Sequence, residues 1–316
     1  MRAALALGER GRGRTAPNPH VGCILVRDGV VVGRGWTAPG GRPHAEAAAL
    51  EQAGDRALGA TAYTSLEPCA HASMRGPTCA PFLAAAGVAR VVAALIDPDP
   101  RTAGRGLGHL RDAGVEVVSG VLEAQARRAQ AGFIYRVTRG RPRVTLKLAQ
   151  SIDGRIASSS GESRWITGAE ARRYVHWQRA HADAILVGRG TYEADAPRLD
   201  VRIDGLEDRS PRRILLTSSG APEGWTALAS PEAIGTLHDV NDLFVEGGAE
   251  TAAAFLRADL VDRLLIYTAP ILLGAGKPAI GDLGLAALAD AHGRWKPAYS
   301  RMLGVDRLDI HERVRD

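Results

Sequence analysis

Short strand-like runs alternate with helix-like stretches along the whole chain, and this alternation constrains the fold more than any other feature of the sequence. In the first half, residues 21–26 and 30–35 read as a hairpin around Asp28-Gly29, a dipeptide suited to a two-residue turn. Residues 44–53 have helical composition, 61–65 read as a strand, 79–86 as a helix and 90–95 as a buried strand. A helix at 107–113, a strand at 115–118 and a single helix over 121–139 complete the series. Such a pattern predicts a layered α/β domain whose sheet is largely covered. The polar stretch Gly140-Arg141-Pro142-Arg143 interrupts it, so residues 1–140 and 141–316 are expected to form separate domains. The second half restarts with a strand at 144–149, a helix near 169–180 and strands at 184–188 and 213–217. A strand running into Glu246-Gly247-Gly248, a helix to about Arg257, a strand at 264–269 and a Gly274-x-Gly276 turn follow. This half is α/β as well.

Composition narrows the function classes. Hydrophobic residues make up 45% and charged residues 24% of the chain, the balance of a soluble globular protein. Apolar runs such as 91–96 fall far short of the roughly 18 residues that span a bilayer. The run Leu5-Ala6-Leu7 stops at Gly8-Glu9-Arg10, too short for a secretory leader. A cytoplasmic location with no membrane partner is expected. The net charge of +5 comes almost wholly from arginine, with lysine only at Lys147, Lys277 and Lys296. Most of these arginines read as solvated surface, and a few suit bidentate phosphate recognition. Aromatic residues do not interleave with them, so no nucleic-acid partner is expected. Three cysteines, Cys23, Cys69 and Cys79, are too few for a disulfide framework and read better as metal ligands or redox groups.

His44-Ala45-Glu46 follows Pro43 and opens a helical stretch, Pro68-Cys69 closes a strand-to-loop passage, and Cys79 starts the next helix. Residues two apart on a regular helix do not share a face. His44 and Glu46 can therefore meet only if His44 sits in the turn before the helix and Glu46 in its first turn. An imidazole and two thiolates are a three-ligand set for a catalytic zinc ion, which leaves one position for a water whose pKa the cation lowers. Glu46, outside the ligand set, is expected to carry protons from that water to a leaving nitrogen. The order of residues matches the zinc-deaminase signature H-x-E followed by P-C-x-x-C, except that nine residues separate Cys69 from Cys79. Closure cost rises slowly with loop length, so both can still reach one ion. Cys23, between apolar neighbours in a strand, reads as a core thiol.

The runs Thr15-Ala16-Pro17-Asn18-Pro19-His20-Val21-Gly22, Pro43-His44-Ala45-Glu46, Leu66-Glu67-Pro68-Cys69 and Ala103-Gly104-Arg105-Gly106 resemble the bifunctional deaminase-reductase family of riboflavin biosynthesis. That family also places its second cysteine after a long loop. Here the loop from Ala70 to Thr78 is one residue longer than the family's commonest form, which bears on any substrate contact by His71. The second half is similar to the family's reductase in Leu146-Lys147-Leu148-Ala149, Ser151-Ile152-Asp153-Gly154, Gly161-Glu162-Ser163-Arg164-Trp165-Ile166-Thr167, Ile185-Leu186-Val187-Gly188-Arg189-Gly190-Thr191 and Val245-Glu246-Gly247-Gly248.

The resemblance implies a cytidine-deaminase-like three-layer domain followed by a dihydrofolate-reductase-like α/β domain, with Zn²⁺ and NADPH as cofactors and a phosphorylated pyrimidine as substrate. It implies that Asn18 holds the substrate beside Glu46. It further implies NADPH contacts from Ala149, Trp165, Thr191, Asp195, Ser218, Gly247 and Gly248, and substrate contacts from Ser163, Arg179, Leu199, Arg202 and Glu246, the arginines near the phosphate. The paired glycines taken alone read as a tight turn. Lys147 reads equally as a solvated charge or a substrate contact. Two departures stand out. The family's acidic pair before proline is reduced to Asp195-Ala196-Pro197. Only about 30 residues separate Thr217 from Glu246, where the family carries roughly another strand and helix, a unit that needs at least about 10–12 residues. Weaker or altered NADPH binding is expected from that. A homo-oligomer is expected. The rival readings are a deaminase of another base with a degenerate reductase, and a basic nucleic-acid-binding protein with a structural zinc.

Overall fold

In the computed structural model the described residues are 1–71 and 76–315. The chain forms two compact units, Met1–Arg141 and Pro142–Asp316, dividing inside the polar stretch that interrupts the sequence pattern.

The first unit runs α1 (Arg2–Gly8), β1 (Gly22–Arg27), β2 (Val30–Trp36), α2 (Ala45–Ala53), β3 (Thr61–Thr64), α3 (Cys79–Ala85), β4 (Arg90–Ala93), α4 (Arg105–Asp112), β5 (Glu116–Ser119), α5 (Glu123–Ala129) and α6 (Ala131–Arg139). Its five strands lie in the order β2-β1-β3-β4-β5. β1 is antiparallel to β2 and β3, while β3, β4 and β5 are parallel. Asp28 (φ 51°) and Gly29 (φ 77°) turn the β1–β2 hairpin with Arg27 opposite Val30, as the sequence pattern expects. Glycines let helices lie close on both faces. A Cβ on Gly22 would stand 2.0 Å from the Ala4 carbonyl of α1, and one on Gly35 would stand 2.1 Å from the Ala45 carbonyl of α2. Gly35 pairs with Cys23, the neighbour of Gly22, and successive strand residues face opposite ways. α1 and α2 therefore cover opposite sides, which gives three layers. Cys23 is fully buried in this core, as a packed thiol.

One expectation needs correction here. Residues 121–139 are not one helix, because the chain breaks at Gln130 between α5 and α6. Gln130 is buried and its Nε2 donates to the His20 carbonyl (2.8 Å), while the His20 ring meets the Ala129 carbonyl (3.0 Å). Backbone and side-chain groups at the break are thus spent on the segment that carries Asn18.

The second unit runs β6 (Arg143–Ser151), β7 (Arg155–Ala157), α7 (Ala169–Arg179), β8 (Ala184–Gly188), α8 (Arg189–Asp195), β9 (Arg212–Leu216), β10 (Thr226–Leu228), β11 (Asp242–Val245), α9 (Ala249–Arg257), β12 (Arg263–Ala269), β13 (Lys277–Pro278), β14 (Trp295–Leu303) and β15 (Asp306–Arg313). Eight strands form one sheet, β10-β9-β8-β11-β6-β12-β15-β14. The first six are parallel, and β15 and β14 close it antiparallel. Val144, Leu146 and Leu148 of β6 pack with α9 residues such as Phe255, whereas Ile185 and Val187 of β8 pack with Ala171 and Val175 of α7. Both faces of the central strands are covered, which is why β8 and β11 are buried end to end and read as continuous apolar runs.

The interval before Glu246 is compressed rather than stripped. It keeps β10, parallel to β9, and a 3₁₀ segment, Pro231–Thr236, in place of a full helix. A 3₁₀ turn rises about 2.0 Å per residue against 1.5 Å for an α-helix, so fewer residues return the chain to the start of β11.

Candidate active sites in the two units

In the first unit, β2 delivers the chain through Pro39–Gly41 to His44, the N-cap of α2, with Glu46 in the first helical turn. His44 is thus outside the helix and Glu46 inside it, the only arrangement that lets residues two apart face one site. β3 leads through Ser65 and Leu66 to Cys69, and Cys79 opens α3. The His44 ring, Cys69 Sγ and Cys79 Sγ bring one ligand atom each to within 4.8 Å of one another. His44 Nδ1 lies 3.3 Å from Cys79 Sγ and 3.6 Å from Cys69 Sγ. Ligand–ligand edges of a tetrahedron with Zn–N near 2.0 Å and Zn–S near 2.3 Å are about 3.5–3.8 Å, so this donor set fits zinc. Among the described residues no other group of three such side chains gathers in this way.

Electrostatics agree with the geometry. Cys69 is held down to about 4, chiefly by the Cys79 thiol that hydrogen-bonds to it and further by His44 and the Cys79 backbone N–H, against the opposing effect of burial. Cys79 is correspondingly pushed up by Cys69 and by burial, so Cys69 gives up its proton first. Glu46 is 3% exposed, and burial raises its pKa despite the nearby His44. Thr64, fully buried at the end of β3, places its hydroxyl 3.2 Å from Glu46 Oε1 and 2.7 Å from the Leu66 carbonyl. Asn18 donates to the Gly41 carbonyl (3.1 Å) and lies 3.3 Å from His44 Nε2. A Cβ on Gly41 would overlap the Asn18 side chain at 2.6 Å, so that glycine is required for the contact.

Sequence reasoning left Glu67 unassigned. Its buried carboxylate accepts backbone N–H groups from Asp97 (3.1 Å), Gly104 (2.9 Å) and Leu107 (3.1 Å). It ties the segment carrying Cys69 to the start of α4. A Cβ on Gly106 would sit 2.0 Å from the Pro68 carbonyl, so the same two segments also touch through bare backbone. An acidic residue inside Leu-Glu-Pro-Cys, where burial is expected, was the available signal. Residues 72–75 of the following loop, which as a whole is one residue longer than the family's commonest form, lie outside the described residues.

In the second unit Lys147 of β6, Arg179 at the end of α7 and Glu246 just past β11 converge. Arg179 donates to both Glu246 oxygens (2.6 and 3.0 Å) and to the Asp200 carbonyl (3.0 Å), and Lys147 Nζ is 3.9 Å from Glu246. Lys147 is therefore a half-buried member of an ion cluster rather than a solvated charge, and desolvation lowers its pKa while Glu246 opposes. Burial pushes Glu246 up, but Arg179 and Lys147 outweigh it and the net shift is downward. Arg202 stays exposed, with Asp200 3.4 Å away, and Leu199 is buried in the left-handed region (φ 54°).

Of the residues expected to meet NADPH, Thr191 Oγ1 accepts the Gly248 N–H (3.2 Å). Ala149 lies on β6 opposite Tyr267, and Asp195 pairs with Arg164 (3.0 Å). Ser218 is exposed beyond β9. Ser163 and Trp165 are exposed between β7 and α7, where Arg172 stacks over the Trp165 ring (4.8 Å). A Cβ on Gly247 would overlap Thr251 at 2.3 Å, so packing alone demands that glycine. Nine-residue α9 begins at Gly248 with no side-chain cap, and such a helix start suits the pyrophosphate of a dinucleotide. The residues present fit NADPH. No helix among the described residues is long and apolar enough to cross a membrane.

Comparison with known proteins covers nearly the whole chain. Residues 1–95 match the cytidine and deoxycytidylate deaminase zinc-binding region, and residues 142–306 match the RibD C-terminal domain. The riboflavin biosynthesis protein RibD of Escherichia coli strain K12 is 42% identical over 92% of each chain, and that of Mycobacterium tuberculosis H37Rv is 40% identical over 94% of this chain and 91% of its own. Among solved structures, Acinetobacter baumannii RibD superposes with a TM-score of 0.89 at 36% identity, covering 99% of this chain and 98% of that one. A Thermotoga maritima protein described as a diaminohydroxyphosphoribosylaminopyrimidine deaminase/5-amino-6-(5-phosphoribosylamino)uracil reductase gives 0.89 at 30% identity, covering 99% and 97%. With both units matched in order and nearly end to end, the chain belongs to the RibD family of riboflavin biosynthesis proteins.

Proposed function

We propose that this chain catalyses two successive steps of riboflavin biosynthesis. The first is hydrolytic deamination of 2,5-diamino-6-(5-phosphoribosylamino)pyrimidin-4(3H)-one. The second is NADPH-dependent reduction of the ribosyl group to ribityl. The observation that carries the reading is the convergence of His44, Cys69 and Cys79 beside a buried Glu46. Zinc held by those three residues supplies the Lewis acidity that makes a water nucleophilic near neutral pH. Glu46, its pKa raised by burial, takes the proton from the attacking water and passes it to the departing amino nitrogen. A C–O bond forms, the C–N bond breaks, and ammonia leaves. Asn18 lines this site against the substrate.

In the second unit NADPH supplies the hydride. Lys147 and Arg179, gathered on Glu246, stand ready to polarise and orient the sugar, and Arg202 offers bidentate donors to its phosphate. Holding the sugar beside the cofactor supplies much of the rate. A deaminase of another base with a degenerate second half is not favoured, because the similarity runs through both halves. We further read the protein as a cytoplasmic homo-oligomer, which sedimentation at several concentrations tests. The reaction itself is tested by product identification on the zinc-loaded protein. Ammonia release is expected with or without NADPH, and the ribityl product only with it. A protein that releases no ammonia from this substrate overturns the reading.

A further inference from the structure

Residues 199–202 of the second unit carry Arg202 but form no regular secondary structure, so their backbone groups must find partners one by one. Leu199 anchors the segment, buried with φ 54°. The Val201 N–H donates to Ser210 Oγ (3.0 Å). The Asp200 carbonyl accepts from Arg179 Nη1 (3.0 Å), and the Arg202 N–H donates to His176 Nδ1 (3.2 Å). His176 and Arg179 stand three apart on α7 and so share one face of that helix. The face that turns Arg179 toward Glu246 also holds the main chain of Arg202.

His176 Nδ1 also lies 3.1 Å from the Asp200 carbonyl. One ring nitrogen cannot accept from an amide and donate to a carbonyl at once, so the partners' other bonds decide its role. Arg179 already serves the Asp200 carbonyl, whereas among the described residues the Arg202 N–H meets only His176. Nδ1 is therefore the acceptor, and the proton of the neutral ring sits on Nε2. Burial, Arg179 and Arg202 lower the His176 pKa against the Asp200 carbonyl and Glu246, which keeps the ring neutral. Arg179 is spent on Glu246 and Asp200. Arg202 is exposed and meets Asp200 only through an ion pair of 3.4 Å, so most of its donors remain for a ligand. We propose that His176 is a positioning residue of the reduction, whose Nδ1 fixes the Arg202 backbone and thereby aims that guanidinium at the substrate's phosphate. The proposal rests on the reading above that Arg202 meets the phosphate.

The test is NADPH oxidation by the full chain with the deaminated intermediate, phosphorylated and dephosphorylated, in the parent, His176→Leu, His176→Asn and Arg202→Ala. Asparagine puts Oδ1 where histidine has Nδ1 and so keeps the acceptor, while leucine keeps bulk without it. In His176→Leu the KM for the phosphorylated substrate is expected to rise about 2- to 13-fold, the range of one net hydrogen bond. Its kcat is expected to hold, as are KM for the dephosphorylated substrate and for NADPH, and His176→Asn to return KM toward the parent. In an Arg202→Ala background His176→Leu is expected to add nothing. A second reading needs no chemistry and no leucine variant. In protein labelled with ¹⁵N-histidine, the ring signals missing from His176→Asn are expected to show Nε2 protonated and Nδ1 bare at neutral pH. A proton on Nδ1, or a KM rise equal for both substrates, overturns the positioning role. If Arg202→Ala leaves the preference for the phosphorylated substrate untouched, the phosphate reading fails first and the proposal falls with it.

Discussion

The two sites are built by opposite means. In the first unit the zinc ligands and Glu46 come from a stretch of 36 residues, His44 to Cys79, and are aimed by backbone geometry: an N-cap, a first helical turn, a strand-to-loop passage and a helix start. In the second, Lys147, Arg179 and Glu246 come from strands and a helix spread over 100 residues and are held by mutual charge. A site of the first kind is assembled once the local chain is folded. One of the second kind exists only when the whole sheet is in place, and its members hold each other against the cost of burial.

The largest contrast is expected from the proton carrier. Glu46→Gln preserves size and leaves the ligand set intact, so zinc content by elemental analysis is expected to match the parent. Ammonia release is expected to fall about 10²- to 10⁴-fold, the range of a positioned general acid–base group. NADPH oxidation with the deaminated intermediate is expected to continue. Loss of zinc together with activity would mean that Glu46 shapes the metal site rather than serving it.

Glu246→Gln probes the charge-held site. It leaves Arg179 and Lys147 without a counter-charge, a change of the kind that costs about 3–5 kcal/mol when one partner of a buried pair is removed. The second unit's unfolding transition is expected to move down by that amount while the first stays put. Linkage sharpens the point. Glu246 is held below its ordinary pKa, so its stabilisation is complete above about pH 4.3 and is lost as pH falls through the lower folded value. The parent's second transition is expected to lose stability as pH drops below that point, and Glu246→Gln to flatten this dependence. A variant as pH-sensitive as the parent would show that other carboxylates govern acid unfolding.

The same contrast explains what could be read from the amino-acid sequence. His44, Glu46, Cys69 and Cys79 are legible because cysteine and histidine are scarce and metal geometry limits how such residues can converge. The strands at 184–188 and 242–245 are legible because burial on both faces makes them continuously apolar. The closing hairpin of β14 and β15 was not, since β14 is exposed along most of its length and shows no apolar alternation. The break at Gln130 was hidden because what diverts the chain there is the distant His20. Lys147 stayed ambiguous for the same reason: its partners lie 32 and 99 residues away, and nothing local distinguishes a clustered lysine from a solvated one. For the second site the resemblance, not the pattern, named the residues.

Glu67→Gln tests whether backbone geometry alone aims the first site. One carboxylate oxygen becomes an amide N–H that cannot accept from the part-buried Gly104 or the buried Asp97 or Leu107 amides. Leaving one such donor unpaired costs about 1–3 kcal/mol, expected as a downward shift of the first unit's transition only. An equal shift in both units would mean that the units unfold as one and that the separation drawn here fails thermodynamically.

The smallest effect is expected at Thr64, and it is the most specific. Its hydroxyl has a single proton, and the Leu66 carbonyl at 2.7 Å takes it on better terms than Glu46 at 3.2 Å. That leaves an oxygen lone pair facing the buried carboxyl group, a partner for Glu46 when it carries the proton. Thr64→Val keeps shape but removes this partner and leaves the Leu66 carbonyl to find another. Losing one neutral hydrogen bond of about 1 kcal/mol corresponds to roughly a fivefold fall in kcat for ammonia release. Thr64→Ser, which keeps the hydroxyl, is expected to restore most of it. If valine and serine depress the rate alike with zinc content intact, packing at β3 and not the hydroxyl orients Glu46. The first site would then owe its aim to side-chain fit as well as to backbone, and the contrast with the charge-held site would narrow to charge alone.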